Sequence, residues 1–160
     1  MENETTQYAG FWMRFVAYIL DSFIISFIEV IVVLPILGFF GFKVITIGTL
    51  SDLENTDPDI MIPLVASAIS AIALSAFLIT WLYYALLQSS SRQATIGKMV
   101  LNLEVVDAYG ERISFATASL RYFAKILSSL FMMIGYIMAA FTYQNQALHD
   151  MIAKTYVVQK

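Results

Sequence analysis

The chain has 160 residues, of which 59% are hydrophobic and 13% are charged, and its formal net charge is −3. An ordinary soluble domain is about half apolar and about a quarter charged, so this composition predicts an integral membrane protein with one domain, residues 1–160. The negative charge excludes the basic surface that nucleic acid requires. The chain has no cysteine and a single histidine, His149, which excludes disulfides, thiolate metal sites and multi-histidine sites. We expect the lipid bilayer as a partner, and neither a metal nor a cofactor.

Two long apolar runs predict membrane-spanning helices. The first covers roughly residues 11–42 and the second roughly residues 61–87, and each exceeds the ~20 residues that cross about 30 Å of hydrocarbon. The segment between them is acidic, which indicates a solvated loop. The start of the chain lacks the positive region of a secretory signal, so we expect the first run to be retained. Four aromatic residues near the helix ends fit positions at the membrane interface: Trp12, Trp81, Tyr83 and Tyr84.

Residues 89–114 differ from the rest of the chain. Strand-forming residues at 100–106, followed by the turn formers of 107–110, predict a short β-hairpin outside the hydrocarbon. This segment carries three basic residues, whereas the acidic loop is flanked by one. The positive-inside rule therefore predicts that the N-terminus and the hairpin are cytoplasmic.

Residues 115–141 leave two alternatives open. A single straight helix would be about 40 Å long, more than the hydrocarbon core needs. Residues 115–127 could instead lie in the interface, where Arg121 and Lys125 would snorkel toward headgroups, with residues 128–141 entering the membrane behind them. If the β-prone tail at 155–158 adds a strand to the hairpin, the C-terminus is cytoplasmic and this segment is broken or re-entrant. A plain three-span topology places the C-terminus outside. We favour the cytoplasmic C-terminus.

The sequence thus predicts an all-α integral membrane protein with a small cytoplasmic β-hairpin. About three membrane helices or segments and an interfacial helix complete the predicted fold.

Two ionised residues of opposite sign, Arg14 and Asp21, lie seven positions apart on the first apolar run. A charge near the middle of a membrane helix costs about 2.5–3.5 kcal/mol on insertion scales, so each is expected to have a partner. Seven helical steps return to nearly the same face, but they separate the two residues by about 10 Å, and Arg14 leans away from Asp21. A direct pair between them is not expected.

Charges elsewhere in the chain supply the candidate partners. Arg14, close to the cytoplasmic interface, could hold Asp150 through a bidentate guanidinium–carboxylate pair. Asp21 lies about two turns deeper. It could take Arg121 or Lys125, or it could stay protonated in an apolar setting.

Three further residues are candidates for supporting roles. Glu29 lies eight residues beyond Asp21 and either extends a polar path or is a lone buried acid; we favour the path. Lys98 is interpreted as an interfacial anchor, because its surroundings lack the glycine and the Ser/Thr of a phosphate-binding loop. His149, next to Asp150, is interpreted as a hydrogen-bonding organiser of the tail, since no nucleophile accompanies it.

Four motifs carry a resemblance to a known family. YAGFWMRFVAYILD, ATIGKMVLNLEVVDAYGERISF, SLRYFAKIL and ALHDMIAKTYVV occur in this order and cover nearly the whole chain apart from the loop at 43–61. They resemble the RDD family of small, mainly bacterial membrane proteins, named for one arginine and two aspartates. The resemblance places these on Arg14, Asp21 and Asp150. Many members have glycine where this chain has Asn102.

The resemblance implies a location in the bacterial inner membrane and a role in transport, in some members in cation/proton exchange. Domains of this type also serve as membrane scaffolds. Two functions are therefore carried forward, both non-enzymatic. In the first, Asp21 alternately binds a proton and a monovalent cation, with Arg14 and Asp150 beside it. In the second, the charges only clamp the tail to the first helix. Three membrane segments are too few to enclose a transport pathway within one chain, so a transporter is expected to be a homo-oligomer.

Overall fold

Two long helices dominate the computed structural model, which describes residues 7–47, 58–130, 138–142 and 144–160. Helix α1 is Phe11–Ile47 and helix α2 is Pro58–Gln88, so both extend beyond their predicted ranges. Both are long and apolar enough to cross a membrane. Their large apolar side chains point outward: Phe23 is 72% exposed and Ile62 is 67% exposed. A core helix of a soluble protein hides such side chains, so this exposure indicates two helices that face lipid.

The chain forms two compact units. The first comprises Met1–Ile24 and Trp81–Lys160, and the second comprises Ile25–Thr80. The second unit contains Glu29, whose carboxylate accepts a hydrogen bond from the Thr80 hydroxyl at 3.3 Å. The first unit contains the start of α1, the end of α2, all the elements that follow α2 and the candidate site.

A short helix and a strand follow α2. Helix α3 is Ile96–Val100 and strand β1 is Leu103–Asp107, and between them Asn102 adopts the left-handed conformation with φ +54°. Asparagine is among the few residues that accept this conformation, so Asn102 can take the place of the glycine that the resemblance implies here. The predicted strand therefore begins three residues late, because residue 100 ends a helix and residues 101–102 form a turn.

The predicted β-hairpin forms only in part. Strand β1 pairs antiparallel with strand β2, Thr155–Gln159, in a two-stranded sheet with Val105 opposite Val157. On the hairpin side only an isolated bridge forms, between Val106 and Arg112. Val105 and Val157 are fully buried, so the tail strand completes the apolar face of β1. The alternative in which the tail adds a strand to residues 103–107 is confirmed.

The segment before α1 joins the same sheet. The Ala9 amide donates to the Val157 carbonyl and the Gln159 amide donates to the Gln7 carbonyl, both at 2.9 Å. The residues that precede α1 and the residues that end the chain therefore lie together. Since the two segments are in contact, they lie on the same side of the bilayer. The chain between them must therefore cross the bilayer completely an even number of times.

Helix α4, Phe115–Leu130, is amphipathic. Its buried positions follow a helical period and include Ala118, Arg121 and Ala124, while apolar side chains project from the other face. The exposed apolar residues are Phe115, Leu120, Phe123, Ile126 and Leu127. Such a helix suits the plane of the membrane interface, as in the predicted interfacial alternative.

A third membrane segment is not confirmed. Among the described residues, only α1 and α2 are long and apolar enough to span. Residues 131–137, within the predicted third segment, lie outside the described residues, as do residues 48–57 of the acidic loop. After the gap come a 3-10 turn at Met138–Ala140 and helix α5, Leu148–Ile152, which leads into β2.

We expect both ends of the sheet region to be labelled from the same side of the membrane. The chain has no native cysteine, so single cysteines can be introduced cleanly. Tyr109→Cys, at a site that is 89% exposed, and Lys160→Cys should react with a membrane-impermeant maleimide from one side only. Asp59→Cys, at the start of α2 after one crossing, should react from the opposite side. Opposite labelling of Tyr109→Cys and Lys160→Cys in spheroplasts or inverted vesicles would contradict the even number of crossings.

Candidate functional site: two buried aspartates beside a cationic cavity

The carboxylate of Asp150 lies at the centre of the site and is fully buried. Arg121 of α4 donates to its Oδ1 from Nε at 2.8 Å and also from Nη2. Arg14 of α1 donates from Nη1 to the other oxygen, Oδ2. The Ala147 amide adds a longer bond to Oδ2 at 3.3 Å. Two guanidiniums from different helices therefore bind one carboxylate in the first turn of α5.

Both arginines are also held on their far sides. Arg121 Nη1 donates to the side-chain oxygen of Gln88 at 2.9 Å, and Arg14 Nε donates to the Ala9 carbonyl at 2.9 Å. One nitrogen, Arg14 Nη2, is buried without a hydrogen-bond partner among the described residues. The planar guanidinium presents several donors in a fixed geometry, which the single ammonium group of a lysine does not reproduce. The predicted contact between Arg14 and Asp150 is present, but through one nitrogen of Arg14 rather than two.

The protonation of the tail follows from burial and from neighbouring charges. Burial by itself would raise the pKa of Asp150, but the positive charges of Arg121 and Arg14 outweigh it and hold this pKa below its ordinary value. Burial lowers the pKa of His149 to about 3. His149 is therefore neutral at pH 7, and its Nε2 lies 3.4 Å from Asp150 Oδ1. This geometry fits the predicted role of His149 in organising the tail.

Asp21 is also buried, at 1% exposure, but its partners are neutral. Its Oδ1 accepts hydrogen bonds from the Tyr83 hydroxyl and from the Gly97 amide, both at 2.7 Å. Its Oδ2 accepts one from the Thr95 hydroxyl at 2.6 Å. The Gly97 amide belongs to the first turn of α3, where backbone donors have no partner within the helix. Asp21 thereby fixes α3 against α1.

Of the predicted partners of Asp21, Arg121 is wrong, because this residue binds Asp150 instead. Lys125 lies over the aromatic rings of Tyr84 and Tyr18, with Nζ 4.0 Å and 4.9 Å from the ring centroids. Burial, reinforced by the charge of Arg121, lowers the pKa of Lys125 to about 8, and the charge of Asp21 opposes this. Asp21 thus acts on Lys125 electrostatically. The predicted snorkelling of Arg121 and Lys125 toward headgroups is not what the structure shows.

Gly97 is required because α3 packs on α1 at backbone distance. A Cβ at this position would lie 2.3 Å from the Ala17 carbonyl oxygen and 2.9 Å from Asp21 Oδ1. Both are closer than any side-chain carbon can approach. The glycine therefore permits the contact through which its own amide reaches Asp21.

Three site residues are not predicted from the sequence: Tyr83, Tyr84 and Gln88. Tyr83 and Tyr84 were assigned to the membrane interface, yet both are buried and contact Asp21 and Lys125. The spacing of Tyr84 and Gln88 by four positions placed them on one face of α2 and was the available signal. Trp12, by contrast, is 73% exposed near the start of α1, as an interfacial residue would be.

A cavity of about 370 Å³ lies beside both aspartates. Such a volume falls within the range of about 300–1,000 Å³ typical of small-molecule sites. Lys98 lines it rather than serving as a plain interfacial anchor. Its lining combines charged residues with aromatic ones: Phe11, Arg14, Phe15, Tyr18, Asp21, Tyr84, Gln88, Lys98, Arg121, Tyr122, Lys125, Ala139, Ala147, His149 and Val157. Glu29 is not among these residues. No cluster of three or more potential metal ligands occurs in the described part of the chain.

Comparison with known proteins yields a family and two close relatives. A model of the RDD family matches residues 8–154. The uncharacterized protein YxaI of Bacillus subtilis is 38% identical over 152 residues, which cover 95% of this chain and 97% of that protein. The uncharacterized membrane protein YteJ of the same organism is 32% identical over 162 residues, which cover 98% of this chain and 84% of that protein. No solved structure matches the chain.

The packing of α3 on α1 predicts that Gly97→Ala is destabilising. The new methyl group has to displace backbone, and such overpacking costs about 1–3 kcal/mol. The matched control is Gly38→Ala in α1, where a Cβ meets nothing within 4 Å and helix propensity favours alanine by about 0.5–1 kcal/mol. Thermal unfolding of the purified proteins in detergent should show a lower midpoint for Gly97→Ala alone. Equal midpoints for the two variants would contradict the backbone contact.

The Asp150 cluster predicts a large loss of stability for Asp150→Asn. The substitution leaves two buried guanidiniums without their countercharge, and breaking a buried ion pair costs about 3–5 kcal/mol. Glu104→Gln is the control, since Glu104 pairs with Lys160, whose side chain is 75% exposed, and such surface pairs contribute about 1 kcal/mol at most. Chemical unfolding in detergent measures both. A loss for Asp150→Asn as small as that of the control would show that the cluster is not cooperative.

Proposed function

The chain belongs to the RDD family, and from that premise we propose that it is a non-enzymatic inner-membrane protein that moves an ion or small solute across the bilayer. The single observation that carries this proposal is the cavity of about 370 Å³ at the Arg14, Asp21 and Asp150 site. Ionised groups inside a membrane protein are costly and typically mark substrate or ion pathways. Here they surround a space large enough for a solute instead of filling it.

Cation/proton exchange is the specific form of transport that we propose to test first. In this scheme Asp21 binds a proton and a monovalent cation in turn, while the pairs of Asp150 hold the surrounding helices. The buried position of Asp21 on a candidate span supports it. The scheme also requires movement, because both oxygens of Asp21 already accept hydrogen bonds. The hydroxyl hydrogens of Tyr83 and Thr95 would have to turn away before a cation could bind.

The proposal includes an orientation and an assembly. The basic residues around the sheet, set against the acidic loop, favour a cytoplasmic position for the N-terminus, the sheet and the C-terminus. Two candidate spans enclose little space on their own. A transport pathway would therefore be formed by a homo-oligomer.

A scaffold is the second candidate, and one observation favours it. The oxygens of Asp150 and Asp21 are all taken up by donors from other elements of the same chain. Carboxylates paired in this way stabilise the fold, and each of their oxygens already accepts a hydrogen bond that a ligand would have to replace. In this case the protein would recruit a partner through its sheet region.

Proton flux in liposomes separates the two candidates. Purified wild type, reconstituted with a pH-sensitive dye, is pulsed with Na⁺, Li⁺ or K⁺. Exchange predicts cation-dependent dequenching for the wild type and for the control Glu104→Gln, whose side chain pairs at the surface. Asp21→Asn should lose the signal while still eluting as a single species, because an amide retains the shape of the carboxylate but cannot exchange a proton.

Three outcomes decide between the candidates. Loss of flux in Asp21→Asn alone supports exchange at Asp21. Equal flux in all three proteins would remove Asp21 from the pathway. A wild type that is folded but shows no flux across a range of pH would favour the scaffold, and co-purification should then return one specific partner.

A further inference from the structure

The cavity beside the two aspartates is lined by more positive than negative charge. Its lining contains four cationic side chains, from Arg14, Lys98, Arg121 and Lys125, and one carboxylate, from Asp21. The buried carboxylate of Asp150 adds a second negative charge through its pairs with the two arginines. Counted over the described residues, four cations thus face two carboxylates. The space is better suited to an anion than to a cation.

The excess of positive charge has a definite location. Arg121 is fully engaged, since its three nitrogens donate to Asp150 and Gln88. Arg14 is not, because its Nη2 is buried without a partner among the described residues. The two lysines come from different elements, Lys98 from α3 and Lys125 from α4. Donors on three elements therefore line one cavity.

The pKa values of the two lysines also favour an anionic ligand in the cavity. Burial lowers the pKa of Lys98 well below its ordinary value, and the charge of Arg121 lowers it further. Burial and Arg121 act in the same sense on Lys125. An anion beside these two side chains would oppose the effect of burial and favour the charged form of both ammonium groups.

The remaining walls are apolar. Phe11 and Phe15 of α1, Tyr122 of α4 and Val157 of β2 line the same space. A ligand that fits both parts carries a compact anionic group on an apolar body.

We propose that this cavity binds a phosphate group, with Lys98, Lys125 and Arg14 Nη2 as its donors and the aromatic wall against the rest of the ligand. Three donors suit a tetrahedral group with several acceptor oxygens. The inference rests on the proposed function only in taking the cavity as the solute site, and it names an anion as the ligand where cation/proton exchange at Asp21 would place a monovalent cation. The phosphate belongs either to a soluble ion or to the headgroup of an anionic lipid, and the two sources are separated by experiment.

The test uses the full chain in nanodiscs of phosphatidylcholine. Inorganic phosphate is titrated against chloride at equal ionic strength, and in a second series phosphatidylglycerol replaces part of the phosphatidylcholine. The readout is the midpoint of thermal unfolding. The variants are Lys98→Gln and Lys125→Gln, with Lys160→Gln as the matched control, because Lys160 is exposed and does not line the cavity.

We expect a saturable rise of the midpoint in wild type and in Lys160→Gln. Each cavity variant should weaken the apparent affinity about tenfold, which corresponds to about 1.4 kcal/mol. Without ligand, their midpoints should equal or exceed that of wild type, since each removes an ammonium group whose charged form is disfavoured by burial. A merely structural role for the lysines would instead lower these midpoints.

Each outcome has a separate meaning. A response to phosphate identifies a soluble ion, and a response to phosphatidylglycerol alone identifies a lipid headgroup. No saturable response to either, or an equal loss in Lys160→Gln, overturns the inference. Binding without any flux in liposomes would leave the phosphate site standing and defeat the transport proposal. Flux without saturable binding of phosphate or phosphatidylglycerol would support transport and overturn the phosphate site.

Discussion

The arrangement of the first compact unit depends on the buried carboxylate of Asp150. Arg14 reaches it from α1 and Arg121 reaches it from α4, while the residue itself lies in the first turn of the helix that leads into β2. A buried ion cluster of this kind adds little net stability compared with well-packed apolar side chains, but none of its members can be buried alone. The effect of the cluster is to fix the positions of the elements that carry its three charged residues. Only one placement of α1, α4 and the tail satisfies all three charges together.

The two aspartates of the site illustrate two ways to bury the same group. Asp150 is compensated by full positive charges, whereas Asp21 is compensated by two hydroxyls and one backbone amide. The first solution joins elements distant in sequence and ties the tail to the membrane helix. The second fixes a five-residue helix at backbone distance, which Gly97 alone permits. Between them the two carboxylates leave the cavity with its positive excess.

Sequence reasoning located the membrane helices and the contact between Arg14 and Asp150, because hydropathy and depth constrain both strongly. It failed on the partners of Asp21, since a search for opposite charges overlooks neutral donors such as Tyr83. An aromatic residue near a helix end can be either an interfacial anchor or a buried hydrogen-bond donor, and its spacing in the sequence does not distinguish the two. The hairpin forms only in part for a similar reason. Strand propensity identified residues 103–107, but propensity is local and does not reveal which distant segment shares the buried face.

The separation of Arg14 and Asp150 has a consequence for biogenesis. Their partnership spans 136 positions, so at about 5–20 residues per second roughly 7–27 s of translation separates the two. Throughout this interval α1 has to reside in the bilayer with an arginine that cannot be neutralised. Its position in the first turn of α1 lets the guanidinium stay among the headgroups until the tail arrives. The deeper position is occupied by Asp21, whose partners Tyr83, Thr95 and Gly97 follow it by 62–76 positions and are therefore made well before Asp150. The order of the two charges along α1 is thus suited to insertion ahead of their partners.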